Sequence, residues 1–380
     1  MKVEEQHLTI HSRFEIQSSD LNEKADLVLY FAGREAIENH NIYHNLKRVY
    51  PHAIIMGSST GGEITSDDVY NETVMCLAID FEKTDLKSAH VHIEQPQDSF
   101  DAGQTIGLKL KGPQLKSIFL LSDGLNVNGS ALIKGILEGV GASVPIMGGL
   151  AGDGSSFQKT YVGLDEQPSE RVIAAVGFYG DHIHFSYGAE SGGELVGPER
   201  IITKSYGNIL YELDGKPALE LYKNYLGKYA NDLPASALLY PLMVYPKDNF
   251  DASVVRTILS INNDDQSMTF AGDMPKGSVA RFMSSTKEHF KTGATNAALK
   301  VKSGLQSGHT SVGLLISCIG RKLAMGDRVV DEVDAVKDIL DDGHYFQAGF
   351  FSYGEICPHN LSGVSELHNE TMTISAFTEI

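Results

Sequence analysis

Short apolar runs that end in polar residues or glycine recur along the first half of the chain. Residues 26–32 and 117–122 are runs of this kind, and their length and flanks are typical of buried strands. Each is followed by a segment whose apolar positions have helical spacing, at 36–49 and 130–140. Strands that alternate with helices favour a mixed α/β fold. The pattern predicts further strands at 53–57, 73–81, 144–148 and 171–178.

The strand–helix unit occurs twice in this half. Two pairs of segments match at one offset, and a third pair departs from that offset by a single residue. The pairs are LVLYFAG (27–33) with IFLLSDG (118–124), IMGSSTG (55–61) with IMGGLAG (146–152), and HVHI (90–93) with HIHF (182–185). Because the three matches keep one order, we predict two copies of one unit, at residues 20–100 and 110–195.

The pattern changes beyond a glycine-rich loop at 191–198, which predicts a domain boundary there. We therefore divide the chain into an N-terminal domain, 1–195, with the internal repeat, and a C-terminal α/β domain, 196–380. The fold class predicted for the whole chain is α/β with mixed α+β layers. In the second domain the pattern predicts helices at 217–226, 286–305 and 331–340 and strands at 238–245, 252–261, 311–319, 349–356 and 371–377.

Composition and charge exclude several functions. The chain has 31 Lys and Arg residues against 49 Asp and Glu residues, a formal net charge of −18, and no basic stretch. Such a chain repels phosphate backbones and anionic lipid, so we expect no nucleic-acid partner and no membrane partner. The N-terminus lacks the apolar region of a secretory signal, and Cys76, Cys318 and Cys357 lack metal-type spacing. We therefore expect a reduced, cytoplasmic protein.

Two glycine-rich turns, 57–63 and 148–154, each follow a predicted strand. Consecutive backbone N–H groups in such turns can bind an anion or a small polar ligand. Neither turn has the lysine of a P-loop or the spacing of a dinucleotide site. The alternative is that the two turns pack against each other on a pseudo-twofold axis.

Paired histidines occur at His90 and His92 and again at His182 and His184. On a strand, residues i and i+2 share one face, so each pair could bind a metal or offer an axial ligand to haem. Neither pair has a third ligand nearby in sequence. The pattern therefore favours an exposed polar face over a metal site.

No catalytic constellation is visible. Cys318 lies in an apolar run and is expected to be buried and inert, whereas Cys357 precedes a proline and is expected in an exposed turn. His359 follows Cys357 by two residues, whereas Cys318 has no base beside it in sequence. We therefore expect no enzyme, and a hydrolase that uses a loop serine or cysteine, such as Ser59 or Cys357, is the alternative.

A polar cluster follows the predicted strands of the C-terminal domain. Arg321 comes directly after one apolar strand, while Glu355 and Glu366 lie near the ends of others. Charged groups at the ends of buried strands are costly unless they are paired. Arg321 could form an ion pair with Glu355 or Glu366, or its guanidinium could hold the carboxylate of a ligand. Both interpretations stay open at this point.

The same region resembles a known family. The residues Gly320-Arg321, the segment FFSYGEI (350–356) and the segment ELHNET (366–371) resemble the C-terminal FIST domain. The segment MGSSTGGEI (56–64), together with GGLAGD (148–153), resembles the N-terminal FIST domain, and LDGKPA (213–218) resembles the start of the C-terminal half. The resemblance covers nearly the whole chain.

The resemblance implies a sensory module of signal transduction that binds a small ligand such as an amino acid. No output domain fits in 380 residues, so it implies a separate partner such as a histidine kinase. The chain is also similar to bacterial FIST proteins that bind haem and sense nitric oxide. This similarity implies haem without locating its ligand, and the candidate ligands are His184, His344 and His368.

The predicted function is that of a bacterial ligand-binding sensor whose site lies in the cleft between the two halves. A structural adaptor that binds no ligand is a further alternative. The predicted ligand-binding residues are Arg321, Tyr353, Glu355 and Asn369, faced by Gly57, Ser58, Ser59, Thr60, Gly61 and Asp153.

Overall fold

A computed structural model describes residues 1–9, 16, 20–233, 235–306 and 308–380 of the chain. It confirms the mixed α/β fold, with 8 α-helices and 25 strands among the described residues. Three units of one topology form the core. Two lie in the first half of the chain, but their bounds, 2–80 and 85–179, differ from the predicted 20–100 and 110–195; the third begins at residue 183 and ends near the C-terminus.

The first unit contains a helical region that is divided in two. The predicted helix 36–49 is interrupted at His40, which has an extended backbone, and Asn41 begins the next helix. Asparagine favours helix ends because its side chain competes for backbone hydrogen bonds. The elements of this unit are β1 (Lys2–Thr9), β2 (Leu27–Ala32), α1 (Arg34–Asn39), α2 (Ile42–Val49), β3 (Ile54–Ser59), β4 (Glu63–Ile64), β5 (Val69–Tyr70) and β6 (Thr73–Asp80).

The second unit adds a helix that the pattern did not predict, between its first two strands. Gly103 of this helix lies against the predicted one so closely that a Cβ there would overlap the carbonyl oxygen of Leu132. The helices therefore pack through their glycines. The elements are β7 (Asp85–His92), α3 (Ser99–Leu110), β8 (Leu115–Ser122), α4 (Gly129–Val140), β9 (Ile146–Leu150), β10 (Val162–Leu164) and β11 (Val172–Tyr179).

The third unit is interrupted after its first strand by an inserted lobe, residues 191–286. The unit consists of β12 (Ile183–Glu190) and, after the lobe, α6 (Lys287–Lys302), β21 (Ser311–Cys318), α7 (Ile319–Met325), α8 (Val330–Leu340), β22 (Tyr345–Ser352), β23 (Gly354–Pro358), β24 (Ser365–His368) and β25 (Met372–Glu379). The lobe contains β13 (Glu194–Tyr206), β14 (Ile209–Leu213), β15 (Lys216–Pro217), α5 (Ala218–Leu226), β16 (Leu242–Tyr245), β17 (Val254–Arg256), β18 (Ile258–Asn262), β19 (Ser267–Phe270) and β20 (Val279–Ser284). The division predicted between residues 195 and 196 falls inside β13.

Each unit has the same sheet plan. A parallel pair of strands (β2 with β3, β8 with β9, β21 with β22) is extended by an antiparallel third strand (β6, β11 or β25). The units also exchange strands: β10 pairs with β3, β23 with β9, and β4 with β22. The first strand of each unit, β1, β7 or β12, pairs with the third strand of its own unit. The exchange ties the three sheets into a closed ring.

Alternate residues of the central strands face two different cores. Leu27, Leu29 and Phe31 of β2 belong to a central apolar cluster that also takes residues from β8 and β21. Val28 and Tyr30, on the opposite face, pack with the helices of the first unit. Because period-2 alternation puts successive side chains on opposite faces, sheets covered on both sides need continuous apolar runs.

The glycine-rich turns meet where the three sheets join. Gly61 N–H donates to the Phe351 carbonyl oxygen (2.7 Å), Tyr353 N–H donates to that of Leu150 (3.1 Å), and Gly152 N–H donates to that of Ser59 (3.1 Å). These bonds run cyclically from the first unit to the third, from the third to the second, and from the second back to the first. The turns therefore pack on a pseudo-threefold axis rather than the predicted twofold one.

The inserted lobe packs on one end of this core. Its strands form one antiparallel sheet over α5, with a separate apolar cluster that includes Leu219, Tyr222 and Phe270. Arg256 of the lobe, which is buried, donates to the carbonyl oxygen of Leu367 in β24 (3.1 Å). Among the described helices, none has both the length and the apolar composition that a membrane crossing requires.

Candidate functional site

A cavity of about 470 Å³ lies between the inserted lobe and the core, and we call it the interlobe cavity. It is at the carboxyl ends of β21 and β22, which is where open α/β sheets bind their ligands. The core contributes Ser155, Phe157, Cys318, Ile319, Gly320, Leu323, Tyr353 and Asn369, and the lobe contributes Asp232, Leu233, Leu238, Thr257, Ile258, Leu259 and Ala271.

The walls of the interlobe cavity are mostly apolar, and several of them reach solvent. Phe157 and Leu259 are each 46% exposed and Leu323 is 44% exposed. Large apolar side chains that stay exposed around a concavity are characteristic of ligand or partner sites. The cavity therefore has an apolar mouth.

Asn369 is the most informative polar residue in this wall. Its side chain is fully buried, and neither Nδ2 nor Oδ1 has a hydrogen-bond partner. The Thr257 hydroxyl, in the opposite wall, is also buried without a partner. Leaving a buried polar group unpaired costs about 1–3 kcal/mol, and most buried polar groups are paired. A ligand with a donor and an acceptor would satisfy both groups of Asn369.

Tyr353 is held in the wall by its ring and by its hydroxyl. The ring stacks on Phe157 with 4.5 Å between centroids. The hydroxyl donates to Oδ1 of Asp153, and the Asp153 N–H donates to the hydroxyl oxygen (3.2 Å). Burial, together with the hydrogen bond to Asp153, raises the pKa of Tyr353. Asp153, one of the predicted site residues, does not line the cavity itself but holds Tyr353 in place through these hydrogen bonds.

Glu355 lies beneath the cavity and does not line it. Its carboxyl group accepts from the Ser352 hydroxyl (2.7 Å) and from the Thr371 N–H (3.2 Å). Burial raises the pKa of Glu355 to about 8, so the group is largely neutral near pH 7. Burial also raises the pKa of the Cys318 thiol, which lines the cavity above it.

We predicted from the sequence that Arg321 binds the ligand, but in the structure its side chain is buried inside the third unit. Its Nε and Nη2 donate to Glu332 of α8 (3.0 and 2.7 Å), and Nη2 also donates to the Phe290 carbonyl oxygen (2.7 Å). Its Nη1 donates to the Ser191 carbonyl oxygen. The ion pair therefore forms with Glu332 rather than with Glu355 or Glu366. With all three nitrogens engaged and the side chain fully buried, Arg321 does not face the cavity.

The first glycine-rich turn lies at the pseudo-threefold junction, away from the interlobe cavity. The Ser59 hydroxyl accepts from the Tyr161 N–H (2.9 Å), and the Thr60 hydroxyl donates to Glu63. The predicted residues of this turn that do not line the cavity are Gly57, Ser58, Ser59, Thr60 and Gly61. Their packing against the other units accounts for their small size.

The three candidate haem ligands lie apart from one another. His184 and His344 are exposed and line none of the cavities found among the described residues. His368 is buried beside a cavity of about 280 Å³, its Nε2 lies 3.1 Å from the Cys357 carbonyl oxygen, and burial lowers its pKa to about 4. Sites for drug-sized ligands measure about 300–1,000 Å³. No distance or contact among the described residues indicates which histidine would bind haem, so haem and nitric oxide stay predictions.

Sequence reasoning missed the half of the cavity that comes from the inserted lobe, and it missed the third unit. No pattern in the lobe indicates that β17 and β18 face the core. A signal for the third unit was present, because the tripeptide Asn-Glu-Thr occurs at both 71–73 and 369–371. Cys357, predicted to be exposed, is buried in β23 because that strand is paired on both sides.

Comparison with known proteins identifies the family. The FIST N domain matches residues 26–216, and the FIST C domain matches residues 218–358. The chain therefore belongs to the FIST family, whose domains are associated with ligand binding and sensing in signal transduction.

Two individual proteins are similar to parts or all of the chain. Uncharacterized protein MJ1623 of Methanocaldococcus jannaschii is 27% identical over 219 residues, which are 54% of this chain and 42% of that protein. The match thus spans less than half of the relative's length. A crystal structure of a cyanuric acid hydrolase from A. caulinodans aligns with a TM-score of 0.40 and 6% identity over 99% of each chain. A likeness this distant says nothing about activity.

Proposed function

We propose that this FIST protein is a sensor whose interlobe cavity binds a small, uncharged and mostly apolar molecule with an amide-like head. The observation that carries the proposal is the Asn369 carboxamide, buried in the cavity wall with both of its polar atoms unpaired. A primary or secondary amide offers the complementary acceptor and donor. The Thr257 hydroxyl across the cavity is a second partner for the same head.

The charges around the cavity support an uncharged ligand. Among the described lining residues, Asp232 is the one carboxylate, it is exposed, and none is Lys, Arg or His. Arg321, the cation expected to hold a carboxylate, is occupied by Glu332. Burying an unpaired carboxylate in apolar surroundings is strongly unfavourable. The ligand class is therefore amide-like rather than a free amino acid.

The two-sided lining supports a sensory role. A molecule in the cavity touches strand ends of the core and, at the same time, Thr257 and the start of β18 in the lobe. It can therefore favour one position of the lobe on the core, provided that it binds the two positions unequally. We propose that a separate signalling protein, such as a histidine kinase, reads that position on the acidic surface.

We also propose that the site binds its ligand without converting it. Burial raises the pKa of Cys318, the thiol in the cavity wall, and raises that of Cys357 to about 12. Thiols held in their protonated form are poor nucleophiles. The Ser59 hydroxyl lies at the pseudo-threefold junction and not in the cavity wall.

The proposal is tested with two molecules of one shape. Hexanamide, a neutral primary amide with an apolar tail, should bind, whereas hexanoate should bind at least 10-fold more weakly. For so small a molecule we expect a dissociation constant of roughly 1 mM, which isothermal titration calorimetry can measure. Asn369→Leu should abolish binding of hexanamide, and Asn296→Leu, on the exposed face of α6, should leave it unchanged.

Two results would contradict the proposal. Equal binding of hexanamide and hexanoate would show that the head group is not recognised as an amide. Unchanged hexanamide binding by Asn369→Leu would show that the molecule sits elsewhere.

A further inference from the structure

Two histidines and a glutamate lie close together at the edge of the second sheet. His90 and His92 are on β7, the strand at the edge of the second sheet, and pair with Ala174 and Val172 of β11. Their i, i+2 spacing points both imidazoles to one face of the strand. Glu166 follows β10, the strand that the second unit contributes to the first sheet.

The three side chains have the spacing of metal ligands. The Nε2 atoms of His90 and His92 lie 3.7 and 3.8 Å from the same oxygen, Oε1 of Glu166. All three ligand atoms lie within 4.8 Å of one another. Bonds of about 2.0–2.2 Å in a tetrahedral zinc site separate its ligand atoms by roughly 3.4 Å. Moving the ligand atoms closer together, by up to about 1.4 Å for the most distant pair, would complete three corners of a tetrahedron.

The glutamate is free for this role. Its Oε1 atom is buried and has no hydrogen-bond partner. The neighbouring carboxylate, Asp165, is already engaged by the Ile55 N–H (3.1 Å) and by Lys47 (3.4 Å).

The matching histidines of the third unit provide a contrast. His182 and His184 lie where β12 begins, whereas His90 and His92 lie where β7 ends; His182 Nδ1 lies 2.8 Å from the Ile380 carbonyl oxygen, and His184 is exposed. Within the described residues, the His90 cluster is the one group of three potential ligands at metal-binding distances. The third ligand therefore distinguishes the second unit.

We propose that His90, His92 and Glu166 bind a divalent transition metal, with zinc as the best match and a fourth position open to water. Two imidazoles and one carboxylate suit zinc and its neighbours in the first transition series, whereas magnesium and calcium require oxygen ligands. The ion joins the edge strand of the second sheet to the segment after β10, which belongs to the first sheet. It protects that edge and links two sheets, independently of the interlobe cavity.

The test uses zinc itself and three variants. Isothermal titration calorimetry, with zinc added to metal-free protein, should give one tight site in the wild type. The double variant His90→Gln/His92→Gln should weaken that site at least 100-fold, and Glu166→Gln at least 10-fold, since even changes outside the ligand shell cost about 10–100-fold. The matched control His182→Gln/His184→Gln should bind zinc as the wild type does.

Thermal unfolding keeps the test valid if a variant is less stable. In EDTA all four proteins should melt within a few degrees of one another, and zinc should raise the melting temperature of the wild type and the control alone. Zinc binding that is equal in the wild type and the His90/His92 variant would overturn the proposal. Absence of a tight site in the wild type would overturn it as well.

Discussion

The tripeptide Asn-Glu-Thr occurs in the first unit, at 71–73, and again in the third, at 369–371. In both copies the glutamate has a left-handed backbone, with φ of 52° at Glu72 and 55° at Glu370. In both copies the threonine N–H donates to a buried carboxyl group, that of Glu63 or Glu355. The two turns are thus built alike.

Their surroundings differ. Asn71 is exposed, and its Oδ1 accepts from the Lys322 amine. Asn369 is fully buried under the inserted lobe, and neither of its polar atoms is paired. The lobe has covered a turn that is open in the first unit and has left its amide facing a cavity. Most buried polar groups are paired, so this difference between the two turns is what supports the proposed ligand site.

The residues that follow β2 in the first unit and β21 in the third show a second difference. The pair Gly-Arg occurs at 33–34 and at 320–321. Arg34 is 21% exposed and pairs with Asp153 (3.0 Å), whereas Arg321 and its partner Glu332 are both fully buried. The same dipeptide therefore forms a partly exposed ion pair in the first unit. In the third unit it forms a buried ion pair beside Ser191, where the lobe begins.

The largest expected effect is at Arg321. Arg321→Met should lower the free energy of unfolding by about 3–5 kcal/mol, because it leaves the Glu332 carboxylate buried without its partner. The matched variant Arg34→Met should lower it by about 1 kcal/mol or less. Urea unfolding measures both. If Arg321→Met leaves the free energy of unfolding nearly unchanged but abolishes binding of hexanamide, then Arg321 binds the ligand and its structural role is contradicted.

The two asparagines should respond with opposite signs. Asn369→Leu should raise the free energy of unfolding of the ligand-free protein by about 1–3 kcal/mol, since it removes a buried polar group that has no partner. Asn71→Leu should lower it by about 0.5–1 kcal/mol, because the Lys322 amine loses an acceptor. Losses of equal size in urea unfolding would mean that Asn369 is paired within the protein and that the two turns do not differ.

The pH dependence should separate the two buried carboxyl groups. Burial raises the pKa of Glu63 to about 7 and that of Glu355 to about 8, so the folded protein holds both protons more tightly than the unfolded chain. This stabilisation is complete below the unfolded pKa and is lost as the pH rises through the folded values. The free energy of unfolding should therefore fall between pH 5 and 8, by at most about 1.4 kcal/mol per pH unit for each group.

Glutamine variants show which carboxyl group causes this fall in the free energy of unfolding with pH. Glu63→Gln should flatten the profile up to about pH 7, and Glu355→Gln should flatten it up to about pH 8. Glu288→Gln, an exposed partner of Arg328, is the control and should leave the profile unchanged. A wild-type profile that rises between pH 5 and 8 would contradict the sign of both shifts.

Much of the fold could be predicted from the sequence, because buried strands need continuous apolar runs and the repeat kept its spacing. The strands β2 and β8 and the helix α4 follow from these patterns. The third copy could not be recognised from spacing, because the inserted lobe separates β12 from α6. The short matches Asn-Glu-Thr and Gly-Arg remain to mark it.

The site could be predicted only in part. Tyr353 and Asn369 line the interlobe cavity, and Asp153 and Glu355 support it from behind. Arg321 was misplaced because a guanidinium next to an acidic cluster does not reveal which carboxylate it meets, and its partner lies on α8. The wall formed by Thr257 and Leu259 depends on how the lobe docks, which local patterns do not encode.

A crystal structure of the protein soaked with hexanamide tests the central claim most directly. We predict density for the amide in the interlobe cavity, with its oxygen within hydrogen-bond distance of Asn369 Nδ2, its nitrogen near Asn369 Oδ1, and its chain along Ile258 and Leu259. An empty cavity at saturating hexanamide, or an Asn369 side chain paired with another residue of the protein, would contradict the account.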